Sequence, residues 1–178
     1  MSKPTQTLPV KLIISIFAPL ADLVNETICR LSALYGQPDY VSGQMPFDYT
    51  DYYSPEMGRQ LVRRFLSMET LIRPEMLPDI KLSTNAIEEE SMRDHHRQVN
   101  IDPGYLSQAH LILATGKGYT HRPYLRDGIY ADLTLIYQGG KFCSLPWTYP
   151  DYADERQLLM LTAIRSRYLL QLKTNEPI

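Results

Sequence analysis

The stretch Val10-Lys11-Leu12-Ile13-Ile14-Ser15-Ile16-Phe17 decides how this chain folds. Strand side chains alternate between faces, so Val10, Leu12, Ile14 and Ile16 share one face while Ile13 and Phe17 share the other. A segment apolar on both sides belongs in the middle of a sheet, and residues 10–17 are therefore expected to form a central strand. The apolar run of residues 12–20, behind Lys3 and Lys11, has a superficial likeness to an export signal, but it is too short to span a membrane. The strand accounts for it better, and the expected location is cytoplasmic.

Beyond Pro19, the positions Leu20, Leu23, Val24, Thr27, Ile28, Leu31, Leu34 and Tyr35 follow helical spacing, with Gly36 and Pro38 as the stop. Residues 45–53 and 61–72 are expected as strands on either side of a turn at residues 54–58, although Leu61, Phe65, Met68 and Ile72 could also line a helix. Pro74 and Pro78 open a helix with a buried stripe at Leu77, Ile80, Thr84, Ile87 and Ser91. Residues 97–101 read as short and extended, Asp102-Pro103-Gly104 as a turn, and residues 109–115 as a strand closed by Gly116-Lys117-Gly118. Residues 129–137 alternate as a half-solvated strand, and Gly139-Gly140 suits a hairpin turn into residues 141–145. Asp151 is the expected N-cap of a final helix striped by Leu158, Leu161, Ile164, Tyr168 and Leu172. Together these elements predict an α+β fold: a single domain over residues 1–178, with an antiparallel or mixed sheet, helices on one face, and a ferredoxin-like core with an added hairpin.

The chain has 178 residues, 44% hydrophobic and 21% charged, which suits a folded core and excludes a disordered chain. Its net charge of −2 removes the broad basic surface on which nucleic-acid affinity depends, so nucleic acid is an unfavoured partner. The two cysteines make neither a disulfide framework nor a four-thiolate metal site. Thirteen tyrosines against four phenylalanines supply hydroxyls where a plain core would use Phe, which fits either half-buried sheet surface or an aromatic-walled polar cleft.

Four polar clusters lie at the ends of expected elements, where sites gather. The first holds Asp48, Thr50 and Tyr52, followed by Glu56. The second, Lys81, Thr84, Asn85 and Glu88, has the spacing of one helix face and would otherwise be a solvated face with a local ion pair. The third carries Arg97, Asn100 and Asp102. The fourth joins Gly116, Lys117, Gly118, His121, Arg122 and Tyr124, groups able to hold an anion through backbone N–H and side-chain cations. It lacks the spacing of a phosphate-binding Walker loop and could equally be a basic hairpin tip. Adjacent His95 and His96 point apart and cannot chelate together, and no serine or cysteine nucleophile has the required neighbours. Asp48, Glu56, Glu88 and Asp102 could act as acid/base groups or take magnesium if the fold gathers them.

These clusters are also where the chain resembles a bacterial family catalogued as domain of unknown function 4416. The resemblance runs end to end and is carried by Pro9-Val10-Lys11-Leu12, Phe47-Asp48-Tyr49-Thr50 with Tyr52-Tyr53, Glu56-Met57-Gly58, Lys81 with Thr84-Asn85 and Glu88, and Arg97 with residues 100–105. It continues through Leu113-Ala114-Thr115, Lys117, His121-Arg122, Tyr124, Gly128-Ile129-Tyr130, Thr134-Leu135 and residues 146–152. It implies a family and no activity. Gly118-Tyr119 departs from the more polar turn of the family.

The expected function is binding of a small anionic, nucleotide-like ligand in a polar, Tyr-rich cleft, with the question of catalysis left open. Lys81, Arg97, Asn100, Lys117, His121 and Arg122 would hold the anion, with His121 and Arg122 as its main contacts, and Tyr52, Tyr124 and Trp147 would wall the site. Asp48, Glu56, Glu88 and Asp102 are the candidates for acid/base or metal work. The alternative is a non-catalytic interaction module that docks a protein or single-stranded RNA through its Tyr-rich strands. A single pocket favours the first, and a flat aromatic face the second.

Overall fold

A computed structural model describes residues 2–174. Strand β1 (Val10–Ala18) is buried along its whole length. It lies between β4 (Leu61–Ile72) and β5 (Asn100–Leu106), antiparallel to both, with Ile14 opposite Leu66 on one side and Pro103 on the other. The central position expected of it is the one it occupies. The sheet runs in the order β2 (Pro38–Val41), β4, β1, β5, β6 (His110–Thr115), β8 (Ile129–Gln138), β7 (Tyr124–Arg126), while β3 (Met45–Phe47) adds to β4 and β9 (Lys141–Ser144) to β8. Every pairing is antiparallel.

Helix α1 (Ala21–Tyr35) connects β1 to β2, α2 (Ser54–Met57) is a single turn, and α3 (Leu77–Glu90) connects β4 to β5. The resulting order β2-β4-β1-β5, with helical crossovers, is compatible with the expected ferredoxin-like core. The β8–β9 hairpin turns at Gly139 and Gly140, both with positive φ as a two-residue turn requires.

The helices divide between the two faces. Leu12, Ile14 and Ile16 pack with Val24 and Leu31 of α1 and Ile80 and Ile87 of α3. Ile13, Phe65 and Leu113 pack instead with Leu161, Ile164 and Tyr168 of α5 (Glu155–Thr174). The expectation of helices on one face is therefore corrected for α5: apolar side chains on the second face of β1 and β4 also need cover. Lys11, fully buried on that face, donates to Asp39 (2.7 Å), the Met68 carbonyl (2.9 Å) and Gln171 of α5 (2.6 Å).

Three local differences shape the site. The strand expected over residues 45–53 stops at Phe47, because its partner β4 begins at Leu61, which pairs with Phe47 and leaves nothing further to pair with. Residues 48–53 turn back on themselves, with Thr50 Oγ1 accepting the Tyr52 N–H and the Asp51 carbonyl accepting the Ser54 N–H. The last helix is split into α4 (Pro150–Ala153) and α5. Asp154, rather than Asp151, accepts an N–H of the first turn of α5, from Arg156. The expected turn at Asp102-Pro103-Gly104 is continuous strand within β5.

Candidate functional site: a cleft where the sheet opens

Pro103 and Gly104 have a strand role that a turn reading hides. The β5–β6 ladder pairs Leu106 with Leu111, Tyr105 with Ile112 and Gly104 with Leu113, and stops there. The strands are so close at Gly104 that a Cβ would lie 2.4 Å from the Ile112 carbonyl oxygen. The next residue, Pro103, keeps its place against β1 but has no N–H to offer β6. Past that point the two strands part.

The freed edge of β5 is taken up by side chains of α3. Glu88 Oε1 accepts the Ile101 N–H at 2.6 Å, and Lys81 Nζ donates to the Ile101 carbonyl at 2.9 Å. A helix on one face of the sheet thus reaches, through the gap, a cleft that opens on the other. That cleft has a volume of about 730 Å³, within the range of small-molecule sites. Its lining includes Lys81, Asn85 and Glu88 of α3, Asn100 and Asp102 of β5, residues 113–115 of β6, Lys117 after it, and Asp132 of β8. Phe17, Phe47, Tyr49, Tyr52, Tyr53, Tyr149 and Tyr152 form an aromatic wall around it.

Four acids (Glu88, Asp102, Asp132, Asp151) and four bases (Arg63, Lys81, Arg97, Lys117) line this space. Most are already engaged. Arg97 grips Glu56 with two bonds, Nε to Oε1 at 2.9 Å and Nη2 to Oε2 at 2.8 Å, and donates from Nη1 to Asn100 Oδ1 at 3.1 Å. Asn100 Nδ2 in turn donates to Asp102 Oδ2 at 2.7 Å. The other Asp102 oxygen is 3.7 Å from Lys81 Nζ, an ion-pair distance beyond hydrogen bonding. Arg63, buried beneath the aromatic wall, donates to Ser15 Oγ at 2.8 Å and to Asp151, with its guanidinium over the rings of Phe65 and Tyr152.

This network moves the acids in opposite directions. Hydrogen bonding from Arg97 holds Glu56 below the ordinary glutamate range. Burial pushes Glu88 up, against the pull of Lys81 and the Ile101 N–H. Burial, followed by the nearby Asp102 charge, pushes the Tyr53 phenol up, which keeps it neutral at physiological pH.

Of the residues singled out in the sequence, Tyr52, Lys81, Glu88, Arg97, Asn100, Asp102 and Lys117 line the cleft together. Glu56 stands behind Arg97 as its partner. Asp48 is exposed on the loop after β3 and lies outside the lining, as does Tyr124, exposed on β7. His121, Arg122 and Trp147 also lie outside it, behind Asp132. Arg122 donates to Asp132 Oδ2 at 2.8 Å and to the Tyr149 hydroxyl at 2.6 Å, and the His121 ring stacks on Trp147 at 4.9 Å. Arg122 thus supports an acid and a tyrosine of the wall, whereas His121 Nε2 lies 3.7 Å from Asp132 Oδ2 and makes no hydrogen bond among the described residues. The four candidate carboxylates do not assemble either: among the described residues no group of three or more His, Cys, Asp or Glu side chains is placed to hold a metal.

Arg63, Asp132, Asp151, Tyr149 and Tyr152 were not among the site residues expected from the sequence, although Tyr149 and Tyr152 belong to the tyrosine excess that suggested an aromatic wall. Arg63 carried a usable signal, a cation on the face of β4 shared with Phe65. Asp132 read as the solvated side of its strand, and it is buried because Arg122 and Thr134 enclose it.

The family model described as domain of unknown function (DUF4416) matches residues 8–168 of the 178-residue chain. The chain belongs to that family. The match takes in every residue of the DUF4416 cleft and the whole sheet. No curated protein and no solved structure matches the chain. Among the described residues no helix is long and apolar enough to cross a membrane.

Proposed function

We propose that this DUF4416 protein binds a small anionic, nucleotide-like ligand in the cleft between β5 and β6. The observation that carries the reading is the concave shape of the polar convergence: cations from β4, α3, the segment before β5 and the loop after β6 meet in one space walled by tyrosines. Flat strand surfaces bearing those tyrosines would favour a docking module instead. Lys117 is the natural anion contact. It is exposed at the mouth, where among the described residues its ammonium meets the Tyr52 hydroxyl at 3.2 Å and the face of the same ring. Arg63 and Arg97 are committed to carboxylates and shape the site more than they fill it. Any proton transfer would fall to Asp102 or Glu88, the acids nearest the gap.

Calorimetric titration of adenosine 5′-monophosphate and inorganic phosphate, at low and high salt and with and without magnesium, tests the reading. Binding should weaken with salt, and Lys117→Ala should lose about tenfold in affinity, the worth of one charge-assisted hydrogen bond. Absence of binding by either compound, or equal affinity in wild type and Lys117→Ala, overturns it and leaves the docking of a protein or single-stranded RNA as the better account.

A further inference from the structure

The floor of the cleft carries hydrogen-bonding groups that the protein itself leaves unfilled. Asp102 sits on an internal strand, yet a third of its side chain (33%) is exposed, and the exposure is to the cleft. Its Oδ2 is held by Asn100, which Arg97 fixes in orientation. Its Oδ1 accepts no hydrogen bond among the described residues. Lys81 Nζ has three N–H groups and, among the described residues, only one acceptor within hydrogen-bonding range, the Ile101 carbonyl. The Tyr152 hydroxyl, on a side chain 3% exposed that lines the same space, has at most the Ser15 hydroxyl beside it, which already accepts from Arg63. Leaving a buried polar atom without a partner is costly, and native proteins do so where a ligand or water completes the set.

The mixture of these groups restricts what can complete them. An anion on the floor would face Asp102, Asp151 and Glu88, and a cation would face Lys81 and Arg63. A neutral group that both donates and accepts satisfies a carboxylate oxygen, an ammonium N–H and a phenol at once, and the compact group with that property is a hydroxyl. We infer that the floor of the cleft recognises hydroxyl groups of the ligand through Asp102 and Lys81, so that the ligand is a hydroxylated phosphate ester with its phosphate at the Lys117 mouth. This deepens the proposed function and rests on it. Asp102 is then the residue that separates such an ester from a bare anion, since an unoccupied acceptor rewards only a ligand that can donate.

The test compares ribose 5-phosphate, 2-deoxyribose 5-phosphate and inorganic phosphate by calorimetry on the full chain. Ribose 5-phosphate should bind at least tenfold more tightly than inorganic phosphate, the deoxy sugar should fall between them, and Asp102→Asn should narrow the ratio between ribose 5-phosphate and inorganic phosphate at least threefold. If inorganic phosphate binds through Lys117 and the sugar adds nothing, the hydroxyl assignment fails while the anion site stands. If no phosphate compound binds, the underlying reading fails and takes this inference with it. The comparison of the two sugars in wild type needs no variant to fold, and equal affinity for them on a par with phosphate overturns the inference by itself.

Discussion

Glu56 and Glu88 show how neighbouring residues of one type diverge once folded. The Arg97 fork holds Glu56 below the usual glutamate range, so the folded chain binds fewer protons there than the unfolded one. Its stabilisation is complete above the unfolded glutamate pKa of about 4.3 and is lost as pH falls through the lower folded value. Glu88 runs the other way. Burial raises it, so its contribution is complete below the unfolded value and is lost as pH rises through the folded one. Urea denaturation across the acid and neutral range should therefore show Glu56→Gln weaker than wild type by about 1 kcal/mol at neutral pH, converging with it in acid. Glu88→Gln should gain on wild type as pH rises, since the amide can still accept from Ile101 without the cost of a buried charge. Curves parallel to wild type for both variants would contradict these assignments.

At the scale of elements, the junction of β5 and β6 is where the chain is least tolerant. Gly104 lets the strands approach closely, and Pro103 ends their ladder one residue later. An alanine at position 104 would drive its Cβ to 2.4 Å from the Ile112 oxygen, 2.7 Å from the Leu113 Cδ2 and 3.1 Å from the Leu113 Cα; the Leu113 methyl can turn aside, but the two backbone atoms cannot. Gly104→Ala should destabilise the fold by about 2–3 kcal/mol, the upper range for overpacking, read as a lowered urea midpoint. Gly43, with nothing within 4 Å of its Cβ position and no positive φ, is the control, and its alanine variant should differ from wild type by less than about 0.5 kcal/mol. Equal midpoints for the two variants would mean that the strands separate more readily than their packing indicates.

For the whole molecule, one sheet joins the β1–β5 region to the β6–β9 region, and α5 packs across residues of both, from Ile13 and Phe65 to Leu135 and Phe142. Lys11 ties β1, β2, β4 and α5 at a single buried ammonium. Such sharing predicts one cooperative transition. Trp147, whose indole N–H donates to the Leu133 carbonyl at 2.8 Å, reports on the β8 end, while far-UV circular dichroism reports on all elements. The two signals should be lost at the same urea concentration. Fluorescence lost first would show that the β6–β9 region melts as a unit of its own.

Much of the fold was written in the local pattern. A run apolar on both faces placed β1 in the centre, helical spacing placed α1 and α3, and the Gly139-Gly140 pair placed the last hairpin, since each depends on neighbours within a few residues. The polar clusters also contained much of the lining, with Lys81, Glu88, Arg97, Asn100, Asp102 and Lys117 among it. What tertiary structure alone decided was the partner of each charge. Asp151 reads as a helix cap until Arg63 of a distant strand meets it, Asp132 reads as solvated until Arg122 folds over it, and Asp102-Pro103-Gly104 reads as a turn until β1 pairs along it. Propensity and periodicity act over a few residues, whereas the free energy of a charge or of a missing N–H is set by whatever the fold brings beside it.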